Sequence, residues 1–131
     1  MCIRDRFAIQ LQPGENLVSI DAYNEPNPAG KNPAGIILAI YSGNNRVLAH
    51  TDSTWTWKFE GTSQFPVVEL GSSNIEPWSK KTFIDDTAKW LWNDRNYMLA
   101  ATNVVIRFEK SFTAPNPVSY THLTLPTSDL V

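Results

Sequence analysis

Three segments of this chain set apolar against polar residues at period two, and none sustains the period of a helix. From Leu17 to Tyr23, Val18, Ile20 and Ala22 fall on one face, Ser19 and Asp21 on the other. From Thr54 to Phe59, Trp55, Trp57 and Phe59 alternate with Thr54, Thr56 and Lys58. From Asn103 to Phe112, Val104, Ile106, Phe108 and then Lys110 share a face, with Val105, Arg107 and Glu109 opposite. A period of two carried by β-branched and aromatic residues marks half-buried strands. Such a chain must build sheets and cover one face of each.

Other segments fit the same plan. Phe7 to Leu11 is a short strand-like run, and Pro13-Gly14-Glu15-Asn16 is a turn in which Gly14 takes positive φ without steric cost. Ile36 to Tyr41 is continuously apolar, as a strand covered on both faces requires. Ser42-Gly43-Asn44-Asn45 turns that strand into Arg46 to His50 as a hairpin. Gly61 to Thr82 is irregular apart from a short strand at Val67 to Leu70. Asp85-Asp86-Thr87-Ala88 reads as the cap of a single helical turn, and Lys89 to Trp92 begins a new strand. Asn24 to Pro33 is a loop holding a small tandem, Asn27-Pro28-Ala29-Gly30-Lys31 followed by Asn32-Pro33-Ala34-Gly35. Short strands separated by turn signals predict an all-β fold, an antiparallel β-sandwich or jelly roll.

The two ends read differently from the interior. Met1-Cys2-Ile3-Arg4-Asp5-Arg6 resembles a conceptual translation of the transposase end used in short-read library preparation. Val118-Ser119-Tyr120-Thr121-His122-Leu123-Thr124-Leu125-Pro126-Thr127 resembles the reverse complement of that end, read onward into its primer. Residues 1–6 and 118–131 are therefore expected to be adapter-derived scars, which fold reasoning sets aside.

That expectation changes the composition. Cys2 and His122 fall in the scars, which leaves His50 as the remaining histidine and no cysteine for a disulfide, zinc site or catalytic thiol. Arg4, Arg6, Asp5 and Asp129 carry two charges of each sign, so the net charge stays at -2 without them. There is no basic footprint for nucleic acid and no cationic face or apolar span for a membrane. All five tryptophans remain, enough aromatic mass for the core of a small domain. Few charges and many Thr, Asn and Trp point to an extracellular or cell-surface setting.

A family resemblance refines this reading. Leu11-Gln12-Pro13-Gly14-Glu15-Asn16-Leu17-Val18-Ser19-Ile20 resembles the L-K-P-G-E-N-V-I-A-V strand of galactose-binding-like β-sandwich domains, accessory modules of α-L-rhamnosidases and related glycoside hydrolases. Asn24, the Asn32-Pro33-Ala34-Gly35 loop, Ile36 to Ile40 and Thr51-Asp52-Ser53-Thr54-Trp55 follow in the family's order, with Thr56-Trp57 as an addition. Glu69-Leu70-Gly71 and Pro77-Trp78 resemble the closing segment. Ala88-Lys89-Trp90-Leu91-Trp92 and Val104 to Phe112 resemble the opening strands of a second copy. The resemblance implies an incomplete sandwich: residues 7–84 as the C-terminal part of one domain, residues 85–117 as a linker and the first strands of another.

Candidate site residues follow. Trp57, the added residue on a Thr-rich strand, and Trp78, after Pro77 in an irregular stretch, are expected to be exposed and to offer apolar sugar faces a platform. Trp55, Trp90 and Trp92 are expected in the core. Asn24 and Asp52 are the polar candidates; with Glu76 they lack the alternating acidic spacing of a calcium loop, so no metal is expected. Adjacent Asp85 and Asp86 cannot flank a glycosidic bond at the separation that acid–base hydrolysis needs. Arg107 reads as one half of a cross-strand ion pair. Without a phosphate loop, nucleophile elbow or ligand cluster, no catalytic residue and no cofactor are expected. The reading is a non-catalytic carbohydrate-binding module with a glycan as partner. An adhesion module and a structural spacer stand as alternatives.

Overall fold

A computed structural model of the chain describes residues 2–26, 33–44, 46–78, 87–98, 100, 102–115 and 121–128, with backbone alone described for 2–7 and 121–128. It is all-β. The strands are β1 (Cys2–Ile9), β2 (Gly14–Asn24), β3 (Ala39–Ser42), β4 (Val47–His50), β5 (Thr56–Lys58), β6 (Phe65–Pro66), β7 (Val68–Ser72), β8 (Lys89–Trp92), β9 (Val104–Ala114) and β10 (Thr121–Ser128). Two four-stranded antiparallel sheets have the orders β1-β10-β3-β4 and β2-β9-β5-β6, and β7 pairs with β8.

The β2·β9 ladder is unbroken from Gly14↔Ala114 to Asn24↔Val104. Its inward row is the one the alternation assigns: Ala22, Ile106, Phe108, Phe112 and Ala114 are buried. Gly14 opens β2 at φ 92°, and the Asn16 side chain holds the bend by accepting from Gln12 N–H at 3.0 Å and donating to Gln12 C=O at 2.8 Å. On the outward row Arg107 grips Asp21 with two hydrogen bonds of 2.8 and 3.0 Å, the expected cross-strand pair.

The run Ile36 to Tyr41 is buried throughout, and its two faces feed two clusters. Ile36, Leu38 and Ile40 join the sandwich core with Trp55, Leu91, Trp92 and Phe108. Ile37 joins a satellite cluster of Trp78, Ala88 and Trp90. The backbone of this run is held from both sides. Ile36 exchanges hydrogen bonds with Leu91 at 3.0 and 2.8 Å, and Thr51 N–H donates to Leu38 C=O at 2.9 Å. Trp55, Trp90 and Trp92 are buried, as expected. Two of their indole N–H groups find carbonyls, Trp55 at His50 (2.8 Å) and Trp90 at Ser73 (3.2 Å).

The backbone of residues 2–9 pairs with that of residues 121–128, and Thr121 to Thr124 pair on with β3. Pro126 faces β1 alone, beyond the reach of β3, so its missing N–H costs the second ladder nothing. The cap expected at Asp85-Asp86 and most of the 27–35 tandem lie outside the described residues. On either side of the division expected at residue 85, the strands share one ladder, β2·β9, and one core.

Candidate functional site

Two surfaces are candidates, a corner at β5 and β6 and a cleft between β4 and β9. One is aromatic. Along the row begun by Trp55, burial fades: Trp55 is in the core, Trp57 is half-buried between Phe108 and Phe65 by register, and Phe59 is 39 % exposed. Phe65 on β6 is 45 % exposed. Trp57 stacks on Phe65, with ring centroids 5.0 Å apart and planes at 30°. It meets Phe59 edge-on at 5.2 Å and 79°. Both are favoured aromatic geometries. The turn that sets Phe59 opposite β6 is closed by Thr62, whose hydroxyl donates to Phe59 C=O at 2.8 Å and accepts from Phe59 N–H at 3.0 Å. Gly61 supplies positive φ there, 75°.

The opposite face of the same sheet is polar. Lys58 Nζ lies 3.4 Å from Glu109 Oε1, and Gln64 Nε2 donates to that oxygen at 2.9 Å. The Gln64 hydrogen bond, then Lys58, holds the Glu109 carboxyl below its ordinary range against the opposing effect of burial. The Arg107 hydrogen bonds do the same for Asp21.

The second surface is a cleft of about 310 Å³ where edge strand β4 faces β9. It is lined by Val47, Leu48, Ala49, His50, Asp52, Thr54, Lys110 and Phe112. Asp52 builds its rim: Oδ1 accepts from Thr54 N–H at 2.8 Å and from the Thr54 hydroxyl, and Oδ2 lies 3.6 Å from His50 Nε2. His50 Nδ1 in turn meets the Thr87 hydroxyl at 3.1 Å. A neighbouring opening of about 250 Å³, lined by Leu17, Thr54, Thr56, Gln64, Glu109, Lys110 and Ser111, shares Thr54 and Lys110 with it.

The four sequence candidates separate. Trp57 lies in the aromatic corner and Asp52 on the cleft rim. Trp78 is not exposed as expected: it is 4 % accessible, stacked on Trp90 at 4.0 Å and 15° and on Tyr97 at 5.6 Å. The reason is Gly35, where a Cβ would sit 2.8 Å from the Trp78 ring; the bare backbone lets the indole close over it. Asn24 is also buried, its side chain donating to Ala100 C=O at 3.4 Å. Glu76 presents its backbone C=O to the Tyr97 hydroxyl at 2.9 Å, away from both. Sequence reasoning missed Phe59 and Phe65 as partners of Trp57. Phe59 was marked by sharing its row, whereas Phe65 sits in a two-residue strand too short to show a period.

Among the described residues no three His, Cys, Asp or Glu side chains gather as metal ligands would, and no helix is long and apolar enough to cross a membrane. No family model, curated protein or solved structure matches the chain.

Proposed function

We propose that this chain is a non-catalytic carbohydrate-binding β-sandwich of jelly-roll type, an accessory module of a larger secreted or cell-surface glycan-processing protein. The topology supports the jelly-roll part of this reading. Leaving the two ends aside, the pairs nest: β2 with β9, Ile36 with Leu91 of β8, and β5 with β6 innermost. A long hairpin wrapped into two sheets has this order.

The observation that carries the ligand class is the aromatic corner. Trp57, Phe59 and Phe65 form a fixed ring cluster left partly open to solvent, although large aromatics are otherwise the residues a small domain buries first. A pyranose offers an apolar C–H face to such rings, while its hydroxyls remain free for water and polar neighbours.

Calorimetric titration of the full chain with neutral oligosaccharides tests it. Phe65→Ala and Phe59→Ala change exposed rings and leave the core intact, so each is expected to weaken binding about tenfold, with Trp57→Ala more severe. Unchanged affinity in both phenylalanine variants refutes the aromatic corner as the site. The adhesion reading draws on the outward face of β2, β9 and β5, where Leu17 and Val105 stand exposed on the same face as the Asp21–Arg107 pair. It predicts that substitutions on that face, not at the corner, abolish binding to a partner surface.

A further inference from the structure

Lys110 occupies a position meant for an apolar side chain. It falls on the inward row of β9, between Phe108 and Phe112, both buried, and pairs across the ladder with Val18, which packs on the core. An ammonium group in that row must reach water or an anion, since an uncompensated buried charge is expensive. It lines both the β4–β9 cleft and the adjoining opening. Among the described residues the Lys110 side chain has no ion pair or hydrogen bond, whereas the carboxylates sharing these openings have partners: Asp52 in Thr54, with His50 3.6 Å away, and Glu109 in Gln64 and Lys58. Of the charged side chains at the junction, the Lys110 ammonium is the one left without a partner among the described residues.

We infer that Lys110 anchors the carboxylate of an acidic saccharide, a hexuronate unit, in the β4–β9 cleft. The inference rests on the carbohydrate reading above and adds a second subsite to it. One ammonium balances one carboxylate; a phosphate dianion carries a second charge, and among the described residues no Arg or second Lys lines the cleft to meet it. The volume, about 310 Å³, suits one or two sugar units at the small end of ligand pockets. The Thr54 hydroxyl oxygen can accept from a sugar hydroxyl, and Phe112, Leu48 and Val47 offer an apolar wall.

The test is calorimetry on the full chain with galacturonic acid dimers and their neutral galactose counterparts, at low and physiological salt. The acidic dimer is expected to bind about tenfold tighter at low salt, with the preference shrinking as salt rises. Lys110→Met, which keeps the buried stem, removes the preference, and Lys110→Arg retains it. Equal affinity for the two dimers, a preference that survives Lys110→Met, or failure of the acidic dimer to bind overturns the inference. If neutral dimers bind through Phe65 but no acidic preference appears, only this subsite falls. If acidic binding depends on Lys110 while Phe65→Ala is silent, the aromatic corner falls and this subsite stands.

Discussion

In the β2-β9-β5-β6 sheet, β2, β9 and β5 state their own orientation: the alternation of each assigns an inward and an outward row, and the ladder between β2 and β9 runs eleven residues in register. The β1-β10-β3-β4 sheet is put together on other terms. Its middle strand β3 is the tail of a run apolar on both faces, which marks burial without saying which side faces which neighbour. On one side of β3 lie β10 and, beyond it at the edge, β1, which come from the two ends of the chain. Alternation thus locates a strand and orients it. The choice of partner comes from how the whole chain is wrapped.

The largest expected effect separates the sheets directly. Deleting residues 1–6 and 118–131 removes β10 from the edge of β3. The urea midpoint is expected to fall and amide-exchange protection of residues 39–42 to collapse, while that of β2 and β9 persists. Equal loss in both regions would show that the sheets unfold as one unit and would erase the contrast.

Next in size is Phe108→Ala. Phe108 is fully buried, packs against Trp92 at 5.6 Å and belongs to the core that both sheets share. A loss of about 3–5 kcal/mol in urea unfolding is expected. Loss of protection in β3 as well as β9 sharpens the picture of one core beneath two differently built sheets. Loss confined to β9 would break it.

The smallest effect concerns the outward face. Asp21 and Glu109 have carboxyls held below their ordinary range in the folded chain, by Arg107 and by Gln64 with Lys58. A depressed folded value means stability that is present above the unfolded carboxylate range and lost as pH falls through the folded values. Thermal midpoints measured below about pH 4 should therefore drop, and Arg107→Ala should flatten the Asp21 part of that drop. An unchanged profile in the variant would leave the pair as geometry without consequence. A modest size is expected, because the pair is solvent-exposed.

Much of this was legible in the residues. The faces of β2 and β9, the buried run at 36–41, the three core tryptophans and the Arg107 pair each depend on neighbours one or two positions away, or directly opposite. What was not legible depends on distant chain. Trp78 reads as a loop aromatic until Gly35 is seen beneath it. That β9 pairs with β2, some eighty residues away along the chain, is written in neither strand alone. At the candidate site, Trp57 stood out by its alternation. Phe65 and Lys110 became informative only through what lies next to them in space: Phe65 against the Trp57 ring, Lys110 between two buried phenylalanines with no ion pair among the described residues.

The nesting of the strands carries a further consequence, for how the chain acquires its shape. The short hairpins β3·β4 and β5·β6 close over few residues, but Asn24 meets Val104 and Ile9 meets Thr121 only after most of the chain has been ordered between them. Each outer pair must wait for the loop inside it to be tied, and the entropy of closing that loop is spent before the contacts repay it. During synthesis the long edge of β2 stays bare until β9 has emerged. For such a chain the dangerous interval lies in the making, when an open edge can find another copy sooner than its own distant partner.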